Sequence, residues 1–209
     1  MFNNEEFVTA KGVILSREPQ GENHLWTTLF LENYGIVSLS SKNFKGDSEP
    51  FVWGYFDFKR KSRSTNYYLC ESDIKDTMLN IRRGREPIVT AMNWTKYLKR
   101  YLMPEYPDNE LMNTLYGCMK LLTRPFIPVD AAEWRFLRRW LEEWGLAPEL
   151  EAFHASNGFK KEEISLLAKT SALSETELIA LFTGTINPNI RENIFKVASK
   201  LAKKFFNEI

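Results

Sequence analysis

Histidine and cysteine are almost absent: the chain holds two of each among 209 residues. Around His24 and His154 no cysteine or second histidine stands at ligand spacing, so neither reads as a metal ligand or a catalytic base. Cys70 and Cys118 are far apart, and in a reducing compartment they read as buried thiols. A Walker-type phosphate loop, a dinucleotide fingerprint and a nucleophile elbow are all missing. Carboxylate pairs such as Glu142–Glu143 and Glu162–Glu163 fall on helical surfaces as solvated faces. No catalytic constellation, metal site or cofactor is therefore expected. No apolar run reaches the roughly 18 residues of a membrane span. The acidic start, MFNNEEFV, lacks the basic and apolar regions of a signal peptide, so a cytoplasmic protein is expected. Charge of one sign is lacking too: 28 basic residues face 27 acidic ones, a net of +1. Any anionic partner must be met by a local patch.

What the chain does have is a β-rich start. Phe7–Ser16 reads as a strand whose end, Val13-Ile14-Leu15, is covered on both faces. Glu18-Pro-Gln-Gly21 reads as a turn, Leu25–Glu32 as a second strand, Asn33-Tyr-Gly35 as a hairpin turn and Gly35–Ser41 as a third strand. A polar loop, Lys42–Pro50, precedes an aromatic hairpin, Val52–Arg60 and Ser64–Asp73, around Lys61-Ser-Arg63. Five short strands without a long helix predict a compact barrel of the OB type. Beyond Asp73 the period becomes helical. Pro87 opens a helix to about Met103, and Asn109–Leu122 forms another. Asp130, with Glu133 three residues on, predicts a capping box for a helix that Gly145 ends and Pro148 follows. Further helices are predicted over Lys160–Lys169, Ser174–Thr183 and Ile190–Asn207. The fold class is α+β: an N-terminal five-stranded barrel over 1–80 and an all-helical domain over 81–209, with the changeover near Ile74–Arg85.

The basic residues Lys42, Lys45, Lys59, Arg60, Lys61 and Arg63 outnumber Asp47, Glu49 and Asp57 by three. Phe44, Trp53, Tyr55, Phe56, Phe58, Tyr67 and Tyr68 are interleaved with them. Single strands of nucleic acid are held this way, by bases stacking on aromatics beside a positive groove. Strand alternation puts about half of these aromatics in the core instead. Phe44, between two lysines, is the best stacking candidate, and Arg17 and Arg82 extend the track. Arg191, Lys196, Lys200, Lys203 and Lys204 on the last helix read as a solvated face. On the helix after Asp130, Trp134, Trp140 and Trp144 are candidates for an apolar partner groove, with Trp134 and Trp144 also suiting a core.

Two stretches resemble the RecO family of DNA-repair proteins. The first is Lys11-Gly-Val-Ile-Leu-Ser with Pro19-Gln-Gly-Glu22, Thr27-Thr-Leu-Phe and Tyr34-Gly-Ile-Val-Ser38, running into the loop Ser41–Ser48 and Glu49-Pro-Phe51. The second is Glu133–Leu150, ending in Gly-Leu-Ala-Pro-Glu-Leu. Together they span roughly a quarter of the chain. The resemblance implies an OB barrel with a helical domain, and a non-enzymatic recombination mediator. Such proteins bind single- and double-stranded DNA, anneal strands, work with RecR and the single-strand-binding protein, and help load RecA. The chain departs from the family in two places. The four-cysteine zinc site is missing, since Phe153 and Ser156 stand near its first positions and no cysteine follows Cys118. The basic loop is also cut short at Asp47-Ser-Glu49. A second reading is thus an interaction module of the same fold that has lost most DNA contact. A third is a hydrolase or transferase whose site is assembled from distant residues.

Overall fold

The computed structural model describes residues 6–20, 24–42, 49–60, 67–156, 158, 165, 177, 200 and 202–206. The fold is α+β: five strands, β1 (Glu6–Pro19), β2 (His24–Leu31), β3 (Gly35–Lys42), β4 (Trp53–Arg60) and β5 (Tyr67–Asp76), precede helices α1 (Leu79–Arg83), α2 (Arg85–Tyr101), α3 (Asn109–Leu122), α4 (Val129–Glu143) and α5 (Ala147–Ser156). The strands close in the order β1-β2-β3-β5-β4. All pairings are antiparallel except the closing β3–β5 contact, which is parallel and only two pairs long, Leu39↔Tyr67 and Ser40↔Tyr68. Two compact units divide the chain, Met1–Tyr116 and Gly117–Ile209. The change from strand to helix falls after Asp76, but the first unit also takes in α1, α2 and much of α3.

Alternation along the strands builds the barrel core. Ala10, Ile14, Leu29, Leu31, Val37, Leu39, Phe56, Phe58 and Leu69 turn inward and are buried. Tyr34 and Tyr67 meet the Phe58 ring edge-on, at 5.3 and 5.6 Å between centroids. β1 serves two neighbours: 6–13 pair with β4 and 12–19 with β2. The chain crosses from one to the other at Gly12, which pairs with both Leu31 and Gly54. A Cβ there would collide with the Phe30 carbonyl. A bulge follows between Ile14 and Ser16, so Val13, Ile14 and Leu15 are all buried, as their sequence implied.

The hairpin turn at Asn33–Gly35 forms as expected, with φ of 64° and 69° at those two residues. The turn is tied to α3 by a reciprocal amide pair: the Asn33 N–H donates to Asn109 Oδ1 and Asn109 Nδ2 to Asn33 Oδ1, both at 2.8 Å. Asp108 Oδ1 accepts from the Leu111 N–H at 3.0 Å and caps α3. Outside the barrel wall, Trp53 stacks on Tyr116 with centroids 4.2 Å apart.

Several boundaries differ from the sequence reading. β1 runs through Glu18 and Pro19, so the first turn begins later; Gly21 lies outside the described residues. Ile74 belongs to β5, and α1 occupies the expected linker. The capping box at Asp130 is absent, because α4 starts at Val129, leaving Asp130 inside the first turn behind Pro128. Pro148 follows the Gly145 stop as expected, and it also stands in the first turn of α5, where there is no N–H bond for proline to lose. The stop at Gly145 is a Schellman motif. Gly145, at φ 77°, donates to Glu142 O at 2.9 Å, and Leu146 donates to Leu141 O at 2.8 Å. Of the three later helices, Ser165, Glu177, Lys200 and 202–206 are helical, and the rest lies outside the described residues.

In the second unit Trp134, Phe136, Leu137, Trp140 and Leu141 are buried along α4. Arg138 is buried with them, its guanidinium 5.5 Å from the Trp134 ring centroid and its Nη2 2.6 Å from Glu142 Oε1. Cys118 is buried, and burial pushes its thiol up to about 12 while Arg135 and Arg139 pull the other way. Cys70 is exposed, against expectation, because it is the extra residue of a bulge between the Asp57↔Glu71 and Phe58↔Leu69 pairs.

Three outcomes follow. Gly35→Ala should cost about 2 kcal/mol or more in urea unfolding, because φ is left-handed and a Cβ would meet the Tyr106 backbone. Gly117→Ala in α3 meets nothing within 4 Å and should stabilise by about 0.5–1 kcal/mol. A thiol reagent should label one cysteine per native chain at pH 8 and two after unfolding, since a thiolate at Cys118 is withheld until pH approaches its raised value.

Candidate nucleic-acid interface

Of the predicted basic track, Lys59 and Arg60 lie on β4, Lys42 ends β3, Arg17 is on β1 and Arg82 on α1. On the outer wall, the register sets Phe7 beside Lys59, Thr9 beside Asp57 and Lys11 beside Tyr55, with Glu71 and Asp73 beyond on β5. Lys59 Nζ sits 5.3 Å from the Phe7 ring centroid and Lys11 Nζ 5.4 Å from that of Trp53. Thr9 donates to Asp57 Oδ1 at 2.6 Å, and Lys75 pairs with Asp73. Lys11, Lys59 and Lys75 are thus matched on this wall by Asp57, Glu71 and Asp73. Tyr55 and Phe7 stand exposed on it, whereas Phe56 and Phe58 fill the barrel and Trp53 is covered. Alternation thus sorts Phe56 and Phe58 inward and Tyr55 outward, while Trp53, on the face of Tyr55, is covered through its stacking on Tyr116.

Lys42 and Arg60 end their strands, Lys42 in register with His24 and Arg60 with Glu6 and Tyr67. Phe44, Lys45, Lys61 and Arg63 lie outside the described residues. Two expected track residues have other places. The bulge shifts Arg17 onto the register of Thr27, which belongs to the inward side, and burial lowers its guanidinium below the ordinary value while Glu49 raises it. Arg82 Nη1 donates to the Pro50 carbonyl at 3.2 Å, which ties α1 to the approach to β4. Neither placement is legible in the sequence, which shows no bulge and no tertiary hydrogen bond.

The three tryptophans separate as well. Trp134 and Trp140 are 1% and 0% exposed, core residues and not a contact surface, because two adjacent stripes of α4 are covered. Trp144 closes the helix at 41% exposure, contrary to a core role, with its ring edge-on to Trp140 at 5.2 Å. Trp140 also packs 4.9 Å from Phe206. Among the described residues no three His, Cys, Asp or Glu side chains gather as a metal site.

One site has no counterpart in the sequence reading. Beyond the bulge Ser16 and Glu18 face outward with Thr28 and Trp26, their partners on β2, and Ser38 and Ser40 continue the row on β3. Lys99 from α2 reaches this row, its Nζ 3.3 Å from both Ser16 Oγ and Glu18 Oε1. The segment after α2 closes the far side: Pro104 bridges Ile36, the Glu105 N–H donates to Ile36 O at 3.0 Å, and Tyr67 Oη donates to Glu105 Oε2 at 3.4 Å. The result is an open groove of about 410 Å³ walled by Trp26, Thr28, Ser38, Tyr67, Lys99 and Glu105. It offers the rings of Trp26 and Tyr67, hydroxyls, one ammonium and one carboxylate. That set can stack and hydrogen-bond a ligand. The signal in the sequence was Trp26, an aromatic in a strand otherwise rich in threonine and leucine.

Trp140→Ala should cost about 3–5 kcal/mol in chemical denaturation, and Trp144→Ala under about 1.5 kcal/mol, the size of one ring-pair contact.

No protein-family model matches the chain. It is 25% identical, over 230 aligned positions, to the DNA repair protein RecO of Thermodesulfovibrio yellowstonii, a likeness that covers 96% of this chain and 88% of that protein. The likeness therefore runs through both the strands and the helices, and it supports a RecO-like ancestry for the whole chain.

Proposed function

We propose that this protein is a RecO-like mediator of DNA repair and recombination, with its five-stranded barrel an OB fold that holds DNA. The observation that carries the reading is the end-to-end likeness to a RecO protein. The strand order, with a parallel β3–β5 closure, is in keeping with an OB barrel. In this reading the protein works in the cytoplasm without chemistry of its own. It binds single- and double-stranded DNA, anneals complementary strands, and acts with RecR and the single-strand-binding protein to help load RecA. Lys42 and Lys45 supply phosphate contacts, with Lys59, Arg60, Lys61 and Arg63 beside them, and Phe44 stacks on a base. Of the three tryptophans, Trp144 is the exposed one and meets a protein partner in this reading.

The second reading, an interaction module with little DNA contact, is favoured by the matched charges on the outer β1–β4–β5 wall and by the net charge of +1. A salt series separates the two. The purified chain should bind a single-stranded oligonucleotide at low salt, with affinity falling as salt rises. Lys42→Ala combined with Lys45→Ala should flatten the slope of log affinity against log salt by about 1.4, roughly 0.7 per lost phosphate contact. Capture of RecR or single-strand-binding protein with no DNA affinity at low salt would select the second reading.

A further inference from the structure

We propose that Glu105 is an autoinhibitory gate: the segment after α2 sets its carboxylate against the outer β2–β3 face and keeps a nucleic-acid strand off that face until the carboxylate swings away. The inference rests on the reading of the barrel as an OB fold that holds DNA, and it adds a control on that site. A barrel of that type takes its strand on the face of strands 2 and 3. In this chain the face is restricted from both ends. Phe30 and Ile36, paired across β2 and β3, turn outward and are buried, so that end is closed to a ligand. The row continues through Thr28 and Ser38 to Trp26 and the open groove. There the charges have the wrong sign for a polyanion. Glu105 walls the groove and Glu18 reaches it from β1, against the single ammonium of Lys99 among the described residues that wall it. That ammonium is already engaged by Glu18. Two carboxylates against one ammonium leave a net of −1, which opposes a phosphate backbone.

The geometry singles out Glu105 as the movable part. Its backbone is left-handed, φ 60°, a conformation that L side chains avoid and that recurs where a side chain is aimed for function. The backbone is fixed there, because the Glu105 N–H is bonded to Ile36 O and Pro104 bridges Ile36. The side chain is exposed, and its one hydrogen bond is the long contact of 3.4 Å from Tyr67 Oη. Water competes well with an exposed bond of that length, so the latch opens at small cost. A strand binds only the open form, and its apparent affinity is the intrinsic one scaled by the open fraction. Tyr67 acts through the carboxylate and is a positioning residue.

The test titrates the whole protein and its variants with a labelled single-stranded oligonucleotide by fluorescence anisotropy across a salt series. Glu105→Gln removes the charge, and Glu105→Gly removes the side chain at a backbone that suits glycine. Tyr67→Phe keeps the ring that meets Phe58 edge-on and removes only the hydroxyl. Glu151→Gln, exposed on α5, is the charge-matched control. We expect both Glu105 variants to tighten single-strand binding about fivefold at low salt, the size of one close charge contact in water, with the gain shrinking as salt rises. Tyr67→Phe should tighten it about threefold, the scale of one weak hydrogen bond, although it alters no charge. The double variant Tyr67→Phe with Glu105→Gln should bind no tighter than Glu105→Gln alone, and Glu151→Gln should match the parent. A parent that binds while Tyr67→Phe leaves its affinity unchanged, or gains that add in the double variant, would overturn the gate and leave the DNA-binding reading standing. A gain for Glu151→Gln equal to that of Glu105→Gln would reduce the effect to net charge and overturn it as well. Failure of the parent and every variant to bind at low salt would remove the underlying reading itself.

Discussion

One strand serving two partners is the constraint on which the barrel depends. β1 gives its first half to β4 and its second half to β2, and it changes partner at Gly12. A side chain there would strike the Phe30 carbonyl, so the backbone alone passes. The bulge that follows adds one residue and moves everything after it to the opposite face. Ser16 and Glu18 consequently turn outward beside Thr28 and Trp26, where they receive Lys99. The same shift sends Arg17 to the inward register. A polar groove and a displaced arginine share one cause.

The closing seam sets the other wall. β3 and β5 touch over only two residue pairs, which leaves the start of β3 as an open strand edge. Open edges invite pairing with foreign chains and are usually covered. Here the cover is the segment after α2, bonded to Ile36 and pressed against Gly35. Covering the edge also places Pro104 and Glu105 at the side of the β2–β3 face. The site therefore needs the first helices as well as the strands, and the compact unit that extends to Tyr116 contains them both.

Local chemistry was the legible part. Asn33–Gly35 forms its hairpin, Asn109–Leu122 is helical over the expected span, and Gly145 ends α4 through backbone bonds that its positive φ permits. The division of aromatics followed from alternation: Phe56 and Phe58 inside, Tyr55 outside. What escaped were features that exist only after the chain has folded. A bulge leaves no residue signature at Leu15, so Arg17 read as a surface cation. Arg82 read the same way until the Pro50 carbonyl claimed it. Period alone assigned one stripe of α4 to the core, whereas the structure buries both Trp134 and Trp140. The groove was least visible of all, because Trp26, Tyr67, Lys99 and Glu105 come from four separate segments.

The account makes the barrel, more than the helical unit, the place where a single strand is held. Ultraviolet crosslinking of the intact protein to a bound single-stranded oligonucleotide, with the adducts mapped by mass spectrometry, tests that claim directly. The account predicts adducts in the Lys42–Ser48 loop, and fewer of them as salt rises. Adducts confined to the helices beyond Gly117, or no salt-sensitive adduct at all, would contradict it.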